Sequence, residues 1–259
     1  MTIAQINGID VFYKLDGNPQ KPAIIFSNSL GTDQTMWDGQ IRNLENDYFI
    51  IRYDTRGQGN TAAPHGPYSL AMLSKDVLSL LDFLGIEKVI FCGISMGGLI
   101  GQYLGIHAPS RISKLIIANT AAKIGNHQAW SDRAELVRKT GLSSIADSAP
   151  SRWFTPEFYS QALKLVNGLV VKIKNSNPEG YASCCDALAV ADLREEISKI
   201  SMPTLIFAGI NDPVTTVSDA QFLGKSIKGS HLVQLDASHI SNIEAQFEFN
   251  SELLNFLKK

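Results

Sequence analysis

Residues 89–107 read VIFCGISMGGLIGQYLGIH, and this stretch decides the fold. Its first part is a short apolar run of the kind that forms a buried strand, and the part after Ser95 reads as a helix that stops before Pro109. The two meet in GISMG at residues 93–97, which fits the pattern G-x-S-x-G. A sharp strand-to-helix turn of this kind holds the serine hydroxyl clear of the sheet at a helix N-terminus. Ser95 is therefore the candidate nucleophile.

The same region also fits a membrane span. No Asp, Glu, Lys or Arg occurs in residues 89–110, a length that could cross a bilayer, and its glycines repeat at the four-residue spacing of packed membrane helices. We favour a buried strand, turn and helix, because Gln102 and His107 are poor lipid-facing residues and no second span exists. On this interpretation the glycines form a smooth helix face that lies close against a sheet.

Outward from this unit, strand-like runs alternate with helical patterns. A hairpin is predicted at residues 2–15, where two alternating runs flank an Asn-Gly turn. Further strands are predicted in the runs AIIFS, YFIIRYD, KLIIANT, PTLIFAG and HLVQLD. Helices are predicted at residues 34–46 and 69–84 and at the C-terminus. This alternation predicts an α/β fold with a mostly parallel central sheet and helices on both faces.

Residues 121–199 interrupt the alternation. They contain several helical patterns, the aromatic cluster RWFTPEFY and no convincing strand. We interpret them as a helical cap inserted between two strands and lying over the strand ends. The chain is then a single domain over residues 1–259, with a core of 1–120 and 200–259 and a cap of about 121–199.

Composition and charge exclude several classes of protein. Of the 259 residues, 44% are hydrophobic, which is too many for a disordered chain. The 23 basic and 25 acidic side chains nearly balance, so the chain lacks the excess positive charge that would bind nucleic acid or a membrane surface. Three cysteines, two of them adjacent, cannot form a disulfide framework, and the N-terminus lacks the pattern of a secretory signal. We therefore expect a soluble, cytoplasmic protein that binds neither nucleic acid nor membrane.

A serine nucleophile needs a general base, and the base needs an acid that orients it. His239 follows the run HLVQLD, and no other histidine downstream of Ser95 lies in such a loop. Asp212 follows the run PTLIFAG, also at the carboxyl end of a predicted strand. Asp236 is the alternative acid, but it is only three residues from His239, too close along the chain to reach the far side of the imidazole ring. Ser95, Asp212 and His239 are the predicted catalytic residues.

The negative charge that forms on the attacked carbonyl oxygen needs two backbone donors. The N–H of Met96, directly after the nucleophile, is expected to be one of them, and the loop after AIIFS is expected to supply the other.

A second glycine motif suggests a nucleotide site. GQGNTA at residues 57–62 matches G-x-G-x-x-A after a strand, but Pro64 and Pro67 follow at once and no helix opens on the last glycine. We interpret it as a turn in which Asp54 and Arg56 brace the loops around the catalytic residues.

Longer strings carry a resemblance that covers the whole chain. The chain resembles the α/β-hydrolase superfamily in the segment at 93–97, the Asp and His positions, the string RYDTRGQGN and the helical insertion. The chain more narrowly resembles 3-oxoadipate enol-lactonases in eight strings: FSNSLGT, MWD, GPYSL, DVLSLLD, FCGISMGG, ANTAAKIG, WSDR and RWFTPEF. The resemblance implies that Leu30 supplies the second backbone donor. The chain departs from most relatives in carrying Asn28-Ser29 where they have His-Gly, which leaves open how this loop is braced.

The resemblance also implies the reaction. The substrate would be a five-membered enol-lactone with an acetate arm, opened to 3-oxoadipate in the β-ketoadipate route of aromatic breakdown, without a metal or an organic cofactor. Because this substrate is an anion, a local cation is expected, with Arg133 the first choice and Arg152 the second. Trp130 and Trp153 either line the pocket or pack within the cap.

Two other functions fit the same residues. A different serine hydrolase, acting on small esters or carbon–carbon bonds, would share the catalytic residues and differ in the cap pocket. A ligand-binding receptor on this fold could keep them with little turnover. Dehalogenase and epoxide-hydrolase chemistry is disfavoured, because those relatives place Asp where this chain has Ser95. The sequence predicts no oligomeric state.

Overall fold

Eight strands form one sheet in the computed structural model of the chain, which describes residues 2–259. They are β1 (Thr2–Ile6), β2 (Ile9–Asp16), β3 (Ala23–Ser27), β4 (Phe49–Tyr53), β5 (Val89–Ile94), β6 (Ile112–Ala118), β7 (Thr204–Gly209) and β8 (His231–Leu235). Their order across the sheet is β1-β2-β4-β3-β5-β6-β7-β8. β2 runs antiparallel to both β1 and β4, and every other pair is parallel, which confirms the predicted sheet. The carboxyl ends of β3 to β8 therefore meet at one edge.

The α-helices of the same residues connect the strands. They are α1 (Asp38–Leu44), α2 (Leu70–Phe83), α3 (Met96–His107), α4 (His127–Thr140), α5 (Ser143–Trp153), α6 (Pro156–Gln161), α7 (Leu163–Lys174), α8 (Pro178–Val190), α9 (Val217–Ser226), α10 (Ser241–Glu244) and α11 (Gln246–Leu257). The helix predicted at 34–46 is divided into a 3-10 turn, Gln34–Trp37, and α1. The predicted C-terminal helix is divided into α10 and α11, with Ala245 between them.

Turn and cap residues define the ends of the first elements. Asn7 and Gly8 both have positive φ, 46° and 76°, which is the backbone of the tight turn that joins two twisted antiparallel strands. The Ser69 side chain accepts a hydrogen bond from the Met72 amide and begins α2. Gly85, at φ 70°, follows the end of α2. Local chemistry thus sets the hairpin and α2 where the sequence predicts them.

Helices cover both faces of the sheet. Phe26 on β3 pairs in register with Cys92 on β5, so these two side chains point to the same face. On that face the Phe26 ring lies 4.7 Å from the ring of Trp37, centroid to centroid, just before α1. Phe91, one residue before Cys92, points to the opposite face and contacts Gly101 of α3. The two-sided packing predicted from the alternation is confirmed.

The glycines of α3 allow the helix to lie close to the sheet. A Cβ atom at Gly97 would overlap the Ser27 carbonyl at the end of β3, and one at Gly101 would press on the Phe91 ring. Gly105 lies instead against the segment that precedes β7. The smooth helix face predicted for these glycines is therefore present. Within residues 2–259, no helix combines the length and the apolar character needed to cross a membrane.

Residues 121–199, all of them described, hold the helices α4 to α8 and contain no strand. α4 packs on α8, and α5 packs on α7. The Ile240 amide, after β8, donates to the Trp153 carbonyl of α5 over 3.1 Å. Lys172 of α7 forms an ion pair with Asp33, after β3, over 2.8 Å. This helical segment therefore lies over the carboxyl edge of the sheet.

The turn at residues 57–62 opens no helix. Asp54 accepts a hydrogen bond from the Gln34 amide over 2.8 Å and so supports the loop after β3, as predicted. Arg56 differs from the prediction, because it forms an ion pair with Asp76 of α2 over 2.7 Å, and both side chains are at most 7% exposed. A buried guanidinium needs a buried carboxylate, and α2 supplies one. Arg56 therefore ties the turn to α2 rather than to the catalytic loops.

Candidate active site

Ser95 lies at the turn between β5 and α3 with φ 55° and ψ −115°. This region costs a residue with a side chain about 1–3 kcal/mol and persists only where the surroundings impose it. Here the approach of backbones imposes it, since a Cβ at Gly93 would overlap the Gly97 backbone and one at Gly97 would overlap the Ser27 carbonyl. The two glycines of G-x-S-x-G thus let the turn close and leave Ser95 at its tip.

The structure brings the three predicted catalytic side chains into one hydrogen-bonded chain. His239 Nδ1 lies 2.8 Å from Asp212 Oδ2, and His239 Nε2 lies 2.9 Å from Ser95 Oγ. With the ring proton on Nδ1 donated to Asp212, Nε2 accepts from the Ser95 hydroxyl. All three residues are buried, at most 6% exposed. The arrangement can remove the hydroxyl proton as Ser95 attacks a carbonyl carbon.

Asp212 is held as a carboxylate by its surroundings. Oδ1 accepts from the amides of Val214 and Thr215, and Oδ2 accepts from the Thr215 hydroxyl over 2.7 Å and from Asn119 Nδ2 over 3.1 Å. Burial raises the pKa of Asp212, but the charge and hydrogen bond of His239 and the hydrogen bonds of Thr215 outweigh it, so the pKa lies below its ordinary value. The acid beside His239 is therefore ionised.

The alternative acid lies elsewhere. Asp236 is exposed and accepts a hydrogen bond from Asn211 Nδ2 over 3.0 Å. The carboxylate that contacts His239 comes from Asp212, in the loop after the neighbouring strand β7. The spatial order of the parallel strands, rather than nearness along the chain, selects the acid.

Asn119 belongs to this site, although the sequence analysis does not predict it. It follows β6 with φ 42°, and its Nδ2 donates both to Asp212 and to the Ser238 carbonyl, over 3.1 and 3.0 Å. Its Oδ1 accepts from the Ser241 hydroxyl. Asn119 therefore fixes the acid and the loop that carries His239. The sequence signal for Asn119 is its place among the last residues of the predicted strand KLIIANT, whose carboxyl end lies at the same edge as the strands before Ser95 and Asp212.

Two backbone amides next to Ser95 are free to bind an anion. Within residues 2–259, neither the Leu30 N–H nor the Met96 N–H donates a hydrogen bond to a protein atom. Leu30 lines the same cavity as Ser95, and Met96 is the first residue of α3. A helix N-terminus and an unpaired amide of this kind favour negative charge.

Asn28 shows how the loop after β3 is braced with Asn28-Ser29 in place of the expected His-Gly pair. Its Nδ2 donates to the Tyr53 carbonyl over 2.9 Å, and its Oδ1 accepts from Trp37 Nε1 over 3.0 Å. Its carbonyl accepts from the Gly97 amide over 3.1 Å. One asparagine therefore joins the loop to β4, to the turn before α1 and to the start of α3.

Ser95 lines a small cavity of about 30 Å³ between the core and the helical segment. The four residues of the helical segment that the sequence predicts to contact substrate all line it: Trp130, Arg133, Arg152 and Trp153. The remaining lining residues are Ser29, Leu30, Ile145, Ile173, Tyr181, Val214 and His239. The structure thus brings Ser95, His239, the residue with one free amide and the two predicted cations into the wall of a single cavity.

The two arginines of the cavity have no acidic partner. Within residues 2–259, neither Arg133 nor Arg152 forms an ion pair with a carboxylate. The Arg133 guanidinium stacks over the Trp130 ring at 4.9 Å, and Arg152 donates to the Ser148 and Ile145 carbonyls of its own helix. Burial and the charge of Arg133 lower the pKa of Arg152. The cavity wall therefore carries two positive charges that an anionic ligand would neutralise.

The two tryptophans combine pocket and packing roles. Trp130 Nε1 donates to the Ile124 carbonyl over 2.7 Å, which fixes the ring that supports Arg133. Trp153 is buried in the core cluster at 7% exposure and also lines the cavity. The sequence predicts either pocket lining or packing for these tryptophans, and in the structure both roles are present.

Comparison with known proteins shows the family of the chain. The family model of the α/β hydrolase fold matches residues 22–246. The chain is 51% identical to 3-oxoadipate enol-lactonase 2 of Acinetobacter baylyi, over 95% of this chain and 92% of that protein, and 41% identical to 3-oxoadipate enol-lactonase 1 of the same organism, over 99% and 96%. The crystal structure of the enol-lactonase from Burkholderia xenovorans LB400 superposes with a TM-score of 0.98 at 40% identity and covers all of both chains. The chain belongs to the α/β-hydrolase family, within which it is similar to the 3-oxoadipate enol-lactonases.

Proposed function

We propose that the protein hydrolyses 3-oxoadipate enol-lactone to 3-oxoadipate through an acyl-enzyme on Ser95. The observation that carries the proposal is that Ser95, hydrogen-bonded to His239, lines the same cavity as two arginines that have no acidic partner. A serine hydrolase site explains the hydrogen bond between Ser95 and His239, and an anionic substrate explains the two arginines without acidic partners. The 51% identical relative named 3-oxoadipate enol-lactonase 2 supports this pairing of chemistry and substrate.

Acylation begins with attack of Ser95 Oγ on the lactone carbonyl carbon. His239 Nε2 takes the hydroxyl proton, and the carbonyl oxygen becomes an oxyanion beside the Leu30 and Met96 amides. The bond between this carbon and the ring oxygen then breaks. The departing oxygen is that of an enol, a better leaving group than an alkoxide. After it receives the proton from His239, it tautomerises to a ketone.

Deacylation uses the same residues in the same order. A water molecule attacks the ester carbon of the acyl-enzyme while His239 removes one of its protons. The bond to Ser95 Oγ breaks, the proton returns to Ser95, and the product leaves with a second carboxylate. Asp212 stabilises the imidazolium that forms in each half of the reaction.

We also propose that Arg133 binds the acetate carboxylate of the substrate, with Arg152 as a second cation. An arginine can hold a carboxylate through two parallel hydrogen bonds. The stacking of Arg133 on Trp130 orients its guanidinium without using its N–H donors, and Arg152 lines the same cavity. The charge of the ligand would relieve the repulsion between the two guanidinium groups.

The helical segment completes the proposed enzyme. We propose that about 121–199 form a cap on a core of 1–120 and 200–259, because α4, α5, α7 and α8 supply most of the cavity wall opposite Ser95. A cytoplasmic location stays a prediction from the cysteine content and the N-terminal sequence, and cell fractionation would test it.

Incubation of the purified protein with the enol-lactone tests the proposal. We expect the ultraviolet absorbance of the enol-lactone to disappear and 3-oxoadipate to form in equal amount, as measured by mass spectrometry. Hydrolysis of simple aryl esters without turnover of the lactone would contradict the proposal and favour another serine hydrolase. Binding of the lactone without turnover of either compound would favour a receptor.

Arg133→Ala tests the proposed carboxylate contact. We expect it to raise KM for the lactone about 10- to 100-fold and to leave the kinetics of a neutral aryl ester nearly unchanged, because only the lactone loses a charged hydrogen bond. Arg194→Ala removes a positive charge outside the cavity and is the matched control. Equal losses for the lactone and the neutral ester would show that Arg133 only supports the helical segment.

A further inference from the structure

Ser29 has an unused hydroxyl in the wall of the catalytic cavity. The residue is 2% exposed and lines the cavity with Ser95 and Leu30. Within residues 2–259, its Oγ forms no hydrogen bond; only its carbonyl is used. The unpaired side-chain oxygens that are completely buried do not include Ser29 Oγ, so a molecule in the cavity can reach this hydroxyl. A ligand in the cavity could therefore accept its hydrogen bond.

The peptide unit between Ser29 and Leu30 has a fixed orientation. The Ser29 carbonyl accepts from the Thr32 amide over 3.2 Å and from the Thr32 hydroxyl over 2.8 Å. Because a trans peptide is planar, its N–H points opposite to its carbonyl. The Leu30 N–H therefore points away from Thr32, which leaves it free to donate to an oxyanion. The Ser29 hydroxyl is attached four bonds from the same nitrogen, so the two donors can converge on one atom.

We propose that Ser29 Oγ donates a third hydrogen bond to the oxyanion, beside the Leu30 and Met96 amides. The assignment rests on the proposed Ser95 chemistry but not on the lactone as substrate. The charge on this oxygen exists only after Ser95 has attacked, so the hydrogen bond strengthens in the transition state. Ser29 is thus a catalytic residue that lowers the barrier without contributing much to the binding of the intact substrate.

The position of Ser29 separates this role from recognition of the substrate carboxylate. Ser29 belongs to the core loop after β3, directly before an oxyanion donor. Arg133 and Arg152 belong to α4 and α5 of the helical segment. A hydroxyl that served the acetate arm would have to work with those arginines, and its loss would raise KM for carboxylate substrates alone.

The test compares Ser29→Ala with wild type on the enol-lactone and on a neutral aryl acetate. We expect kcat to fall about 10- to 100-fold on both substrates, with KM within about twofold. The urea unfolding midpoint should not fall, because the substitution removes no hydrogen bond of the folded protein. Affinity for a trifluoromethyl ketone, which forms a tetrahedral oxyanion adduct with Ser95, should fall by the same factor as kcat/KM.

Ser74→Ala is the matched control. Ser74 is also 2% exposed and its hydroxyl also has no partner, but it lies on α2 and does not line the cavity. Its kcat should equal that of wild type. An unchanged kcat in Ser29→Ala, or a rise in KM on the lactone alone, would overturn the assignment. Hydrolysis that survives Ser95→Ala would reject the proposed function itself, which is a separate result.

Discussion

Ser95→Ala is expected to lower kcat for the enol-lactone by at least about 10⁴-fold while the protein keeps its fold. Alanine cannot form the acyl-enzyme, and the remaining activity would come only from binding and from the free amides at Leu30 and Met96. Steady-state assays at substrate concentrations well above KM would measure this loss.

The structure explains why this variant should fold. Ser95 Oγ bonds only to His239, whereas the strained backbone at φ 55° is held by the Ser95 amide and carbonyl, which bond to Ala118 and Leu99. Alanine keeps both of these backbone hydrogen bonds. A near-ultraviolet circular dichroism spectrum like that of wild type would confirm an intact core. A folded Ser95→Ala protein with more than a tenth of wild-type activity would remove Ser95 as nucleophile.

Asp212→Asn has the second largest expected effect, a fall in kcat of about 10³- to 10⁴-fold. An amide at this position removes the negative charge that stabilises the imidazolium. It also presents an N–H₂ group that can favour the wrong ring tautomer of His239. Asp236→Asn is the matched control, because it makes the same change on an exposed acid that does not contact His239. Comparable losses in the two variants would contradict the assignment of Asp212.

The same substitution should change the acid stability of the protein. Since the pKa of Asp212 is lower in the folded protein than its ordinary value, its ionised form stabilises the fold above the unfolded pKa. This contribution is lost as pH falls from the ordinary Asp value of about 4 through the folded value. Urea unfolding of wild type should therefore show this loss between those two pKa values, and Asp212→Asn should lack that part of it.

The sequence predicts those parts of the site that depend on strand ends. Ser95, Asp212 and His239 each follow an apolar run, and parallel strands bring their carboxyl ends to one edge of a sheet. The glycine pattern at 93–97 also predicts the strained turn, because only close backbone contact requires glycine at both places.

Side chains that act through contacts distant in sequence could not be predicted in the same way. Asn119 reaches Asp212 across 93 positions, and the bracing of Asn28 by Trp37 and Tyr53 depends on how β3 and β4 meet the first turn. Arg56 finds Asp76 on a helix rather than a partner in the catalytic loops. In each case the hydrogen-bond partner depends on tertiary packing, which the hydrophobic periodicity of the sequence does not predict.

The specificity constants of the purified protein for the enol-lactone and for a neutral aryl ester of similar size provide the most direct test. We expect kcat/KM to be higher for the lactone, because its carboxylate binds the unpaired arginines of the cavity. We also expect Arg133→Ala to remove most of the difference. A higher kcat/KM for the neutral ester, with Ser95 still required, would contradict the proposal that this serine hydrolase acts on an anionic lactone.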